Sequence, residues 1–190
     1  MGAYGGTAEA SQSGVVKTVF LEFSLDTDPG WTTTGEWRFG LPLGAGGTYG
    51  NPDPNSGCTG INVYGVNLAG DYSVALGDPY YVTAGPLDCS TYQEVSLQFA
   101  RWLNSDFYPY VGNTVEVSAD GQTWQTVWQA QEGENLNDSQ WQILIYDISD
   151  TADGQSTVYV RWGYEINSDR AYAQSGWNID DVQLSGVTAE

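Results

Sequence analysis

Alternation of apolar and polar residues at a period of two dominates the second half of the chain. Val95, Leu97 and Phe99 alternate with Glu94, Ser96 and Gln98, the pattern of a strand with one face on a core. Thr114–Ser118 and Thr123–Trp128 flank Ala119-Asp120-Gly121-Gln122, and Asp-Gly between such runs signals a hairpin. Trp141–Ile148 and Thr157–Tyr164 are further β-branched and aromatic runs, and Ser175–Leu184 ends the series. Upstream, Gly14–Phe23 reads as a first strand, Asp28-Pro29-Gly30 as a forced turn, Gly35–Gly40 as a short strand and Tyr80–Thr83 as another. Residues 41–60 are Gly, Pro, Asn and Asp almost throughout, and the loop-like character continues to Tyr72. A loop of that length in a compact domain is functional or pinned.

No long run has helical period. The chain is therefore expected to be all-β, a two-sheet antiparallel β-sandwich of jelly-roll type, with a closed barrel as the weaker alternative. One domain is expected over residues 14–187, with residues 1–13 a linker or flexible arm and residues 188–190 a tail.

The terminal run contains a conflict. Trp177, Ile179, Val182 and Leu184 are core-type strand residues, yet Asp180 and Asp181 interrupt them. Neighbouring strand side chains point to opposite faces, so one of the two carboxylates is expected to be driven inward. An unpaired interior carboxylate requires a cation, a set of N–H donors or a local bulge. Oxygen-only ligands favour calcium among cations. Asp26 and Asp28 stand at the end of the first strand, which is expected to neighbour the last, and Asp71 sits in a Gly-flanked turn. Asp26, Asp28, Asp71, Asp180 and Asp181 are thus the candidate ligands of a structural calcium.

Composition narrows the function. The 190 residues carry 24 acids, five basic residues and no His, for a formal net charge of −19. Such a chain repels nucleic acid and anionic membranes, and no segment is apolar enough to insert in a bilayer. Without His, the Ser-His-Asp and Cys-His designs are excluded. Glycoside hydrolysis needs only two carboxylates, for which Glu94, Glu116 and Glu165 are the candidates, but none sits in a run that suggests burial beside a partner. The chain is expected not to be an enzyme.

Most aromatics belong to strands, and Trp31, Trp37, Trp124, Trp141, Trp162 and Trp177 are expected in the core. Tyr49, Tyr64, Tyr108, Tyr110 and Tyr172 fall in loop-like sequence and are candidates for stacking on a sugar ring. Arg101 and Arg161, each next to a Trp in a strand, are expected to be ion-paired. Cys58 and Cys89 are expected to close a disulfide if the chain is extracellular.

Leu25-Asp26-Thr27-Asp28-Pro29-Gly30-Trp31, Asn67–Tyr72, Arg101–Asn104 and, most specifically, Gly176-Trp177-Asn178-Ile179-Asp180-Asp181-Val182 resemble segments of MAM and cleaved-adhesin domains. These are bacterial extracellular jelly-roll accessory domains of large multidomain proteins. The resemblance covers roughly residues 18–187 and implies a β-sandwich, often with structural calcium, in a non-catalytic targeting or adhesion role. By motif, Asp180 or Asp181 and the Asp26/Asp28 turn would carry the calcium. The expectation is a calcium-stabilised, secreted or cell-surface accessory module that binds a polysaccharide or other glycan. Binding to a protein surface (adhesion, or a spacer role) is the alternative, and a jelly-roll glycosidase a distant third.

Overall fold

A computed structural model describes residues 16–189, and the proposed linker at residues 1–13 lies outside them. Twelve strands form two antiparallel sheets: β1 (Thr18–Phe23), β2 (Thr32–Thr33), β3 (Trp37–Gly40), β4 (Val63–Val66), β5 (Tyr80–Leu87), β6 (Tyr92–Ser105), β7 (Val111–Ser118), β8 (Gln125–Gln129), β9 (Leu136–Asn137), β10 (Gln142–Asp147), β11 (Val158–Ile166) and β12 (Gly176–Thr188). The only helix among the described residues is one turn, α1 (Ser149–Ala152). The larger sheet runs β10-β6-β12-β4-β3, with β1 also on β12 and β9 also on β6. The smaller runs β2-β5-β11-β7-β8. The all-β sandwich expected from the alternation is the observed architecture.

Between the sheets lies an aromatic seam. The larger sheet contributes Trp37, Tyr64, Phe99 and Trp177, and the smaller contributes Trp162 and Tyr164. Phe99 meets Trp162 edge-on at 5.4 Å, and Trp31 stacks between Tyr64 at 5.1 Å and Trp162 at 5.8 Å. These contacts add to the area that the rings bury. A buried polar staple crosses the seam. The indole N–H of Trp177 donates to Asn113 Oδ1 at 2.6 Å, and Asn113 Nδ2 donates to Ser105 Oγ at 2.8 Å.

Three expectations are corrected. Tyr64 is not a loop aromatic: it belongs to β4 and is 1% exposed. Every residue of β4 is buried, because β4 is an inner strand and the 41–60 loop covers its outer face, so no alternation marked it. Trp31, Trp124 and Trp141 are only partly buried. Cys58 and Cys89 are free thiols: Cys58 lies beside Asp181, whereas Cys89 bonds through its backbone to Gln155 and Tyr92, beyond the far end of β6.

Asn113→Leu keeps the branched side-chain shape but leaves the Trp177 N–H and the Ser105 hydroxyl without their buried partner. It should cost about 1–3 kcal/mol, read as a lower urea midpoint with an unchanged slope.

Candidate functional site

Two places concentrate unusual chemistry, one on each sheet. On the larger sheet, β12 pairs with β6 along one edge, while its other edge is shared. Val182–Gly186 faces β1, and Asn178 and Ile179 face β4. The handover falls at Asp180-Asp181, where the β12–β6 register shifts and Asp181 adopts φ 47°. Of the three resolutions open to the paired carboxylates, a bulge is present. Ile179 and Val182 still reach the core. The carboxylate expected to point inward is instead on the outer face: Asp180 is 0% exposed because residues 57–60 lie over it.

Asp180 Oδ2 accepts from the Thr59 N–H at 3.2 Å and Oδ1 from the Asp181 N–H at 2.8 Å, while Asp181 Oδ1 accepts from the Thr59 hydroxyl at 2.6 Å. Burial nevertheless pushes the Asp180 carboxyl up to about 7, with the Asp181 charge adding to it and the backbone donors opposing it. The turn after β1 arrives at the same junction, since Asn62 Nδ2 donates to the Asp26 carbonyl at 3.0 Å and Asp26 Oδ1 abuts Gly60.

Oxygens crowd the face of Gly57. A Cβ there would stand 2.2 Å from the Thr59 carbonyl, 2.6 Å from Asp180 Oδ2 and 2.9 Å from the Asn62 carbonyl. Two backbone carbonyls and a carboxylate facing one gap match the donor set that calcium takes.

The five candidate aspartates do not form one cluster, and no three or more His, Cys, Asp or Glu side chains among the described residues are placed to hold a metal ion between them. Asp26, Asp180 and Asp181 share the junction. Asp28 Oδ1 instead accepts from the Gly30 N–H and the Tyr64 hydroxyl, and Asp71 accepts from the N–H groups of Gly47 and Thr48, pinning the long loop.

That loop is held by a carboxyl group that the sequence did not single out. Asp53 is 3% exposed, accepts from Asn178 Nδ2 at 2.7 Å and leaves Oδ2 without a partner. Burial pushes it up to about 8, with the Asp71 charge adding and the Asn178 hydrogen bond opposing. A protonated Asp53 has the O–H donor that a carboxylate lacks.

The second place is the outer face of the smaller sheet. A groove of about 750 Å³ is floored by Gly112 and Thr114 of β7 and Gly163 of β11. Tyr81, Glu116 and Thr126 line one end, and Tyr108-Pro109-Tyr110 with Asn167 and Ser168 the other. Gly163 is obligatory: a Cβ there would stand 2.5 Å from Tyr81 Cε1 and 2.9 Å from Thr114 Oγ1. Its absence lets the Tyr81 ring lie against β11. Behind Tyr81, the Arg161 guanidinium is 3.8 Å from that ring's centroid and 3.9 Å from that of Trp124, and its Nε donates to Glu116 at 2.8 Å. The other strand arginine, Arg101, pairs with Asp138 at 2.9 Å, so both pairings expected from the sequence are present.

Of the candidate tyrosines, Tyr108 and Tyr110 line the groove. Tyr49 and Tyr172 are exposed and tilt against each other at 4.5 Å outside it. Sequence reasoning missed Tyr81, and the available signal was Gly163, an isolated glycine in a strand that marks a close approach. Glu116 and Glu165 both line the groove. Glu165 faces Gly112 in register, four residues from Glu116. That puts them about 13 Å apart along the strands, wider than the roughly 5–10 Å used in glycoside hydrolysis.

No family profile matches the chain. Bacillopeptidase F of Bacillus subtilis (strain 168) is 29% identical over 172 residues, and the match covers 87% of this chain but only 10% of that protein. Among solved structures, the K1 cleaved adhesin domain of Lys-gingipain from Porphyromonas gingivalis W83 aligns with TM-score 0.54 at 16% identity, covering 92% of this chain and 99% of that one. The CBM22-1 xylan-binding domain of Paenibacillus barcinonensis Xyn10C aligns with TM-score 0.52 at 16% identity, over 91% and 97%. At these identities the likeness establishes the β-sandwich fold shared by adhesin and carbohydrate-binding domains.

Asp53 holds its proton to about pH 8 when folded and ionises near 3.8 when unfolded. The folded state thus binds the extra proton, and its contribution is full below pH 4 and lost as pH rises through 8. In EDTA, the urea midpoint should fall between pH 5 and pH 8.5, and Asp53→Asn should flatten that fall.

Proposed function

We propose that the protein is a non-catalytic carbohydrate-binding module, a unit of a larger extracellular protein, whose glycan lies in the groove of the smaller sheet. The groove is the observation that carries this reading. It combines a floor of small residues, half-buried tyrosines in its lining, and Thr, Gln, Asn and Ser side chains that hydrogen-bond hydroxyls. Ligand sites of this kind pair apolar contact with a few fixed polar groups. The fold shared with a xylan-binding domain agrees with it.

Isothermal titration with oligosaccharides of xylose, glucose, galactose and mannose tests the reading. The binding oligosaccharide should lose about tenfold in affinity (about 1.4 kcal/mol) with Tyr110→Ala and keep it with Tyr49→Ala. The reverse pattern would move the ligand to the Tyr49–Tyr172 rim, and absence of binding by the whole panel would overturn the assignment.

A structural calcium belongs to the same reading. Asp180, with the carbonyls of Thr59 and Asn62, would hold it, and Asp26 and Asp181 would frame the junction. The cation would offset the cost of burying an ionised Asp180. Saturating calcium should raise the melting temperature by several degrees over EDTA, as linkage requires of an ion held only by the native state. Gly57→Ala, whose methyl would occupy the gap, should abolish the increment.

One observation favours adhesion to a protein surface as the second reading. The edge strand β10 exposes Ile143 at 55% and Ile145 at 65%, an apolar margin open to a partner's strand.

A further inference from the structure

The groove lining carries two carboxylates and no free cation. Glu116 and Glu165 both face it. Among the described residues, ion pairs join only Arg101 to Asp138 and Arg161 to Glu116, so Glu165 has no basic partner. Arg161 is the basic residue nearest the ligand space, yet it stands behind the lining. Both faces of its guanidinium are covered, by Tyr81 at 3.8 Å and Trp124 at 3.9 Å, and one edge is bound to Glu116 at 2.8 Å. A planar cation held in this way has little left to offer an incoming anion. Of the other basic residues, Lys17 bonds Ser96 on the larger sheet, Arg38 lies in β3 of that sheet, and Arg170 stands outside the groove lining.

Groove shape limits the ligand as well. Tyr81, Glu116 and Thr126 bound one strand-wise end and Tyr108-Pro109-Tyr110 the other, so an extended chain lies across β5, β11, β7 and β8. Three interstrand spacings give about 14 Å, room for about three pyranose rings.

We infer that Glu116 is a specificity-determining residue: by locking Arg161 behind the groove and leaving the lining anionic, it restricts the site to uncharged glycan chains and rejects those bearing carboxylates or sulfates. The inference rests on the glycan reading of the groove. A chain of uronic acids would have to desolvate its carboxylates against Glu116 and Glu165 with no free cation in the lining to receive them.

The test compares, by isothermal titration on the full chain, the neutral hexasaccharide that binds best, a galacturonic acid hexamer and a glucosamine hexamer. The acidic hexamer should bind at least tenfold more weakly than the neutral one at low ionic strength, and the gap should narrow as salt screens the repulsion. Glu116→Gln releases Arg161 and removes one charge, so the ratio of acidic to neutral affinity should rise at least fivefold. Glu165→Gln should raise the same ratio without freeing the arginine, and by less. Equal binding of acidic and neutral hexamers by the wild type overturns the inference while leaving the glycan site in place. Tenfold tighter binding of the glucosamine hexamer also overturns it, by assigning the groove to cationic chains. If no neutral oligosaccharide binds, the glycan reading itself falls. Should Glu116→Gln not fold, the wild-type salt dependence decides alone: a gap insensitive to salt overturns the inference.

Discussion

Everything on the larger sheet depends on how one strand edge is divided between two partners. β12 is 13 residues long, and the edge away from β6 is covered first by β4 and then by β1. β12 changes partner at a break in its own register, and that break is the Asp180-Asp181 bulge. Placing two aspartates there gives the junction short side chains that accept N–H groups from the chain segments meeting it. Thr59 donates to both, so the loop before β4 is tied to the bulge, and Asn62 ties the turn after β1 to that loop. The same residues therefore set where β1 ends, where β4 begins and how the long loop returns. A cation against Asp180 would strengthen a closure whose polypeptide parts are already in place.

The smaller sheet solves a different problem, that of keeping an outer face open without inviting aggregation. Its strands place Gly112 and Thr114 at the centre, where bulky residues would fill the surface, and raise aromatic residues at either end. The Tyr81–Arg161–Trp124 stack fixes side chains that would otherwise lose rotamer freedom on meeting a ligand. A prearranged wall lowers the entropic cost of binding. The ion pair with Glu116 holds the stack in register across β11 and β7.

The legible parts of the fold were those whose two faces differ in polarity or whose turns carry their own signal. The alternation in β6 and the Asp-Gly turn between β7 and β8 gave strands close to the observed ones. β4 escaped because it is buried on both faces, where periodicity carries no information. The Asp180-Asp181 conflict was visible because two charges in an apolar run violate the strand period wherever the chain folds. Its resolution on the outer face was not visible, since only the covering loop makes that face an interior. Asp53 was overlooked for the same reason: it sits among Pro and Asn like any exposed turn residue, and its burial comes from Asn178, 125 positions away. In the groove, Tyr108 and Tyr110 stood out as loop aromatics, whereas Tyr81 was hidden in a strand.

The charge of −19 then has a structural origin that requires neither a saline habitat nor many bound cations. A fold with long loops and irregular strands must satisfy many N–H groups that no regular ladder reaches. Aspartate does so repeatedly here. Asp120 takes the N–H groups of Gln122 and Thr123, Asp153 those of Glu94 and Val95, and Asp106 those of Phe107 and Tyr172, while Asp138 and Asp147 each take one. Those donors hold Asp120 well below the usual carboxylate range, so the charge is stabilised where it stands. Asp53 and Asp180 are the exceptions, since burial outweighs their hydrogen bonds and raises both. Acidity is thus inexpensive across the loops and costly at two points, and those two points are where the long loop is fastened to β12.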